Sequence, residues 1–327
     1  LPPWSDGRTT SGDSKDFSAF RSPQLLIKLS YTASVGRMRA VRVKKHPKFD
    51  QTICQGAFVS CHDLSADKHN LRTACLAYNS SFAVFFFALT STSFPLHTCK
   101  LTVRDLLKLP LPSEAPKIET LSSFEVIDDT ARKVFGFNTA DWTLIEDFLE
   151  YTLPDVLRKN GGKARLQTGR KNESGTKNLE LTEYAKTFTR VVKGTFGKDK
   201  AVGVTIFTEP DIRKLPVRML TIHLDSTTRV GISHEVMETD GLLDKLAEFH
   251  AAQLKQKSRD AAGSGLGFQR VAYFFHASRE NGQRVMNLTI VKPDEHRYWT
   301  RSMAMRDADQ LASAIVKAAG PLSKIKA

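Results

Sequence analysis

The stretch Asn79–Ser113, NSSFAVFFFALTSTSFPLHTCKLTVRDLLKLPLPS, restricts the fold more than any other part of the chain. Its run Phe82–Leu89 is apolar without interruption, so most of it must be buried against other elements. The run is too short to cross a bilayer, which takes about 20 residues. Upstream, Leu71, Cys75, Leu76 and Phe82 keep helical spacing, and Asn79-Ser80-Ser81 caps a second helix that carries the run. Downstream, Thr102 is a cap, Val103, Leu106 and Leu107 share one side, and Pro110 and Pro112 stop the helix. The segment therefore reads as a buried helix, a sheltered turn and a leucine-rich stretch with an imposed end.

The chain around it alternates between strand and helix patterns. Pro23–Tyr31 alternates as a strand, "GRMRAVRVKK" from Gly36 reads as a second, and Gly56–His62 as a third. Val126, Ile127, Val134 and Phe135 mark a helix ended by Gly136. Thr139 caps the next, with Trp142, Ile145, Leu149 and Leu153 at helical spacing. Residues 160–178 are rich in Gly, Lys and Arg and nearly free of large apolar side chains, which marks a boundary or an exposed basic loop.

Beyond it a helix over about Glu180–Lys193 precedes the strands "AVGVTIF" and "PVRMLTIHL". An amphipathic helix carries Leu242, Leu246, Phe249 and Leu254. "FQRVAYFFHAS" and "RVMNLTIVKP" form a hairpin about Asn281-Gly282, and a last helix is capped at Asp307. There is no internal repeat. With 327 residues the chain has room for roughly two domains of about 100–200 residues each. The expectation is an α+β protein in three parts. These are a lobe of mixed strands and helices at 1–115, a helical connector at 116–160, and an antiparallel sheet with helices at 161–327.

Charge narrows the function. Lys and Arg number 48 against 35 Asp and Glu, a net charge of +13. Such an excess suits a polyanion, because neutralising phosphates releases counterions whatever the sequence. Three basic segments carry the candidates. Arg37, Arg39, Arg42, Lys44, Lys45 and Lys48 come with no acid among them. On a strand, Arg37 and Arg39 would share one face and Met38 and Ala40 the other, a cationic ribbon over a core. Lys163, Arg165, Arg170 and Lys171 lie in the basic loop, which can follow a phosphate backbone or simply be solvated. Arg297, Tyr298, Trp299, Arg301 and Arg306 interleave aromatics with arginines, as base stacking plus phosphate contact requires; they equally suit a strand that buries Trp299.

Catalytic and metal patterns are weak by comparison. Cys54, Cys61, Cys75 and Cys99 include no Cys-x2–4-Cys pair, so they read as reduced thiols rather than zinc ligands or a disulfide framework, which suggests a cytoplasmic protein with no metal. There is no Gly-x-Ser-x-Gly elbow and no His-x-x-x-His pair, and His223 reads as packing or surface. Asp294-Glu295 and Asp307/Asp309 lack a lysine partner in a nuclease-like arrangement. "RDAAGSGLGF" (Arg259–Phe268) follows a predicted helix and precedes a predicted strand. That is the reverse of what a backbone cradle for a cofactor needs, so the segment reads as a connector. The N-terminus has no apolar signal core and no starting Met, as expected of the middle of a longer protein.

Three quoted segments then fall in a familiar order. "PQLLIKLSYTASVGRMRAVRV", which carries Lys28, is followed by "NSSFAVFFFALTSTSFPLHTCKLTVRDLLKLPLP" and by "IDDTARKVFGFNTADWTLIEDFL". Over roughly residues 20–155 the chain resembles the C-terminal target-recognition region of N-6 adenine DNA methyltransferases of the type I and type IIG restriction–modification kind. In that family a strand with an "I-K" pair opens the module, an "NS" helix leads to "LPLP", and an "ID" helix follows.

The resemblance implies double-stranded DNA as partner, Lys28 and the arginines of the ribbon near phosphates, and a methyltransferase catalytic domain or subunit as a second partner. "LPPW" at Leu1–Trp4 resembles the Pro-Pro-aromatic part of the methyltransferase catalytic motif, but Leu1 stands where a polar residue must hold the target amino group. The cofactor loop is not matched, so S-adenosylmethionine is expected to bind a catalytic domain elsewhere and not this chain. The alternatives are an intact methyltransferase with atypical motifs and an interaction scaffold in a defence complex. No membrane is expected.

Overall fold

The structure, a computed structural model, describes residues 23–43, 56–62, 69–112, 123–157, 179–196, 201–208, 217–224, 226, 228–257, 272–280 and 282–319. The protein is α+β, as the alternating patterns predict. It divides into two compact units, Leu1–Gly162 and Lys163–Ala327.

The first unit holds a three-stranded antiparallel sheet in the order β2-β1-β3, from β1 (Gln24–Lys28), β2 (Ala40–Val43) and β3 (Phe58–His62). The second strand is shorter than "GRMRAVRVKK" suggests, because residues 33–36 form a turn. Helices α1 (His69–Asn79) and α2 (Ser81–Thr90) meet at a 75° bend. Ser80 makes that break a clean start: its hydroxyl accepts from the Ala83 N–H at 3.3 Å, as an N-cap does.

Ala83, Val84 and Phe87 of the apolar run are fully buried with Leu25 and Ile27 of β1 and with Met38, which precedes β2, while Leu89 at its end is exposed. Thr102 starts α3 (Val103–Leu106) through a reciprocal capping box with Asp105. Only Leu106 of the three residues expected on one side is buried; Val103 and Leu107 face outward.

The segment expected as a connector joins this same core. Its helices are α4 (Phe124–Val134), α5 (Thr139–Asp147) and α6 (Leu153–Leu157); Phe135 just after α4, Phe148 and Leu149 between α5 and α6, and Leu153 of α6 pack against that core. The cap of α5 is Asn138 rather than Thr139; its side chain accepts from the Asp141 N–H at 2.9 Å. A π-helical turn, Phe148–Thr152, links α5 to α6. It stands just before Pro154, whose ring would clash with the carbonyl four residues back in a regular helix.

The second unit has five strands in the order β6-β4-β5-β8-β7: β4 (Val202–Thr208), β5 (Val217–Leu224), β6 (Gly231–Val236), β7 (Ala272–Glu280) and β8 (Gln283–Pro293). The sheet is mixed, because β6 pairs parallel to β4 while the other pairs are antiparallel; a purely antiparallel sheet was expected. Glu280 pairs with Gln283 at the end of the hairpin, and Gly282 between them has φ +80°.

Helices α7 (Leu179–Phe196) and α9 (Arg301–Ala319) cover one face. Tyr184, Phe188, Ala304 and Ala308 pack there on Val204, Ile206, Ile222 and Ile290. On the other face Leu242 of α8 (Thr239–Lys257) meets Phe207, Met219 and Val291. At Gly203 the backbone of Arg229 passes so close that a Cβ would stand 1.9 Å from its carbonyl oxygen, so only glycine fits. The last helix starts at Arg301 behind Thr300, and Asp307, expected as its cap, lies inside it.

Among the described residues no single helix is long and apolar enough to cross a membrane. "LPPW" and "RDAAGSGLGF" both lie outside the described residues.

Candidate nucleic-acid interface

The arginines read as one ribbon have three different fates. Arg37 follows the 33–36 turn and donates to both carboxylate oxygens of Asp128, at 2.7 and 2.6 Å. Its guanidinium also lies over the Phe124 ring, 5.1 Å from the centroid. Asp128 in turn accepts from the Ser81 N–H and hydroxyl, both at 2.8 Å, at the first turn of α2. A carboxylate there is favoured by the helix dipole. With side-chain exposures of 15% and 16%, the pair ties the turn before β2 to two helices, and Arg37 does not face solvent as the strand pattern predicts.

Arg39 is exposed. Arg42 lies beside Cys75, whose thiol burial pushes up while Arg42 pulls it down. Lys28 is half-buried and donates to Thr32 Oγ1 at 3.3 Å. Lys44, Lys45, Lys48, Lys163, Arg165, Arg170 and Lys171 lie outside the described residues.

In the second unit, Trp299 is removed from the interface. It is 1% exposed, and its indole N–H donates to the Pro293 carbonyl at 2.9 Å. A ring sealed into a core cannot receive a base; Trp299 is buried as the alternative reading has it, but it follows a 3-10 turn, His296–Tyr298, and not a strand. Arg297 stays exposed, stacked over Tyr298 at 5.1 Å and paired with Glu295. Arg301, the first residue of α9, is half-buried.

Cations that the sequence reading did not single out lie on α7. Lys186, Arg190 and Lys193 are spaced i, i+4 and i+7, opposite the buried Leu181, Tyr184, Ala185, Phe188 and Val192. Lys186 is paired on the surface with Glu183 at 2.8 Å. The signal was present as helical periodicity within a predicted helix, but the acids interspersed along the sequence hid it. The whole-chain charge has the same bias: residues 1–162 hold 20 Lys and Arg against 17 Asp and Glu, and residues 163–327 hold 28 against 18.

Two buried polar clusters account for residues with catalytic potential. Lys292, fully buried, pairs with Asp307 and donates to the Tyr298 carbonyl at 3.0 Å. Asp307 also accepts from Tyr184 and, at 2.7 Å, from Tyr273. Asp307 therefore does have a lysine partner, contrary to the sequence expectation; the two lie on different elements, β8 and α9. Burial pulls the Lys292 ammonium below its usual range, and Asp307 opposes that pull. Burial, then the Asp307 charge, raises both tyrosines. Nearby, Arg218 holds Asp294 at 2.9 Å; burial raises that carboxyl while Arg218 draws it down.

On the opposite face of the sheet, Thr205 Oγ1 lies 2.9 Å from His223 Nε2, and His223 Nδ1 lies 2.6 Å from Asn287 Oδ1. The order hydroxyl, imidazole, amide is that of a nucleophile, its base and an orienting group. All three side chains are buried, however, on neighbouring strands β4, β5 and β8, so the chain of bonds joins the strands of the sheet. Among the described residues no group of three His, Cys, Asp or Glu could hold a metal ion. Set against family models, curated proteins and solved structures, the chain matches none of them.

Proposed function

We propose that the chain is a DNA-binding target-recognition module of the N-6 adenine DNA methyltransferase type. It positions duplex DNA while a separate catalytic domain or subunit supplies the S-adenosylmethionine-dependent step. The observation that carries this reading is the net charge of +13, concentrated between residues 163 and 327 and carried in part by the outward face of α7. Positioning contacts in protein–DNA complexes go mainly to phosphates, and exposed lysines and arginines make them. The order of segments over residues 20–155 supports the same reading from the sequence side. A cytoplasmic location goes with this reading.

Anisotropy of a labelled duplex, titrated with the full chain at 50 and 200 mM salt, tests the proposal. Six or more phosphate contacts predict a loss of about 10³-fold or more in affinity across that interval. Absence of binding at the lower salt ends the proposal.

A further inference from the structure

We infer that the α3 region of the first unit is a docking surface for an acidic, leucine-bearing protein segment. Four large apolar side chains stand in solvent there. Leu107 is 80% exposed and Leu96 68%, with Val103 and Leu111 about half exposed. Leucines this open contribute little to the fold, and their concentration between residues 96 and 111 marks a contact surface.

The fold holds these side chains out. Asp105 is buried and receives the Thr102 N–H and hydroxyl, which fixes the α3 turn. Leu106 and Leu109 on the same turn fill the core. Val103 and Leu107, four residues apart, are thereby left on the outer side. Ser91, which ends α2, also hydrogen-bonds Asp105, so the end of that helix sits beside the turn.

Charge selects the occupant. Lys100, Arg104 and Lys108 are all exposed in this segment, and the only acid between residues 89 and 112 is the buried Asp105. Lys108 already lies 3.6 Å from the Asp105 carboxylate, so a partner that covers the leucines must bring carboxylates chiefly to Lys100 and Arg104. A second copy of the chain would bring cations against cations. A phosphate backbone would satisfy the cations but leave the leucines in water. A bilayer surface calls for a long amphipathic helix, whereas α3 is a single turn of four residues. The fitting occupant is an amphipathic segment with a leucine stripe flanked by Glu or Asp, which sets apolar anchors against the leucines and carboxylates against the cations. This inference does not depend on the DNA reading.

The test uses the intact 327-residue chain and a labelled synthetic helical peptide with a leucine stripe flanked by glutamates. Binding is expected, with at least about tenfold weaker binding of the same peptide carrying lysines for glutamates. The double variant Val103→Ser/Leu107→Ser and the double variant Lys100→Glu/Arg104→Glu should each lose at least about tenfold. Both pairs are exposed, so the fold is retained. Equal binding of the wild type and the serine variant overturns the inference, as does failure of the glutamate peptide to bind. So does displacement of the peptide by duplex DNA or by phosphatidylglycerol vesicles, or a dimer in sedimentation that Leu107→Ser dissolves.

Discussion

The two units are nearly equal in length and treat charge in opposite ways. Residues 1–162 are close to balanced, with 20 cations and 17 acids; the Arg37–Asp128 ion pair sits near the surface, and leucines are left outside. Residues 163–327 carry 28 cations against 18 acids, yet they seal Lys292 and Asp307 completely inside. The difference shows that a cation's role depends on the acid within its reach. Arg37 sits in the segment richest in cations and is turned inward by an aspartate 91 residues away. Lys186, Arg190 and Lys193 are interspersed with other residues and still form one outward face.

The largest effect separating the units should come from breaking the interior pair. Lys292→Met leaves the Asp307 carboxylate buried without its cation and should cost about 3–5 kcal/mol in urea unfolding. Adding Asp307→Asn to that variant should recover more than half the loss, because no unpaired charge then remains. If the single variant is neutral, the second unit is not organised around this pair.

In the first unit, Asp128→Ala removes the acceptor for Arg37 and for both Ser81 donors. It should cost about 1–3 kcal/mol, and Arg37→Met should cost less because Ser81 keeps its acceptor. Thermal unfolding followed separately for the two variants checks the order; equal losses would mean that the Ser81 contacts contribute nothing.

These two pairs also show what was legible in the sequence. The caps at Ser80 and Thr102, the hairpin at Gly282 and the helical spacing of Trp142, Ile145 and Leu153 are local features, and local sequence carries them. Asp128 meeting Arg37 and Asp307 meeting Lys292 are tertiary events between distant elements, which no window of sequence displays. Trp299 sits among arginines in the sequence and inside an aromatic core in space, against Tyr184 at 5.1 Å. Strand β6 escaped notice because it is a short, largely exposed edge strand with no apolar run to mark it. For the candidate interface, Arg39 and Arg297 are exposed, whereas the face of α7 needed the helix's buried side to be known first.

A smaller effect tests the α3 turn that presents the exposed leucines. Thr102→Val should cost about 1 kcal/mol by removing the cap. Burial alone would raise the Asp105 carboxyl, but hydrogen bonds from Thr102 and Ser91 and the charge of Lys108 hold it below its ordinary 3.8. A depressed carboxyl contributes stability that is fully present above pH 3.8 and is lost as pH falls through the lower, folded value. The acid limb of the stability profile should therefore be shallower in Asp105→Asn than in the wild type, and identical limbs would show that the carboxylate is not held as described. The smallest effect belongs to Leu107→Ser, expected within about 0.5 kcal/mol of wild type. A larger loss would mean that the leucine supports the fold instead of a partner.

The measurement closest to the central claim compares charge reversals in the two units by duplex-DNA anisotropy at low salt. Lys186→Glu with Arg190→Glu in the second unit should weaken binding at least about tenfold more than Arg39→Glu in the first, and should make the salt dependence shallower. Unchanged affinity in the α7 variant, with the salt dependence intact, would contradict the account.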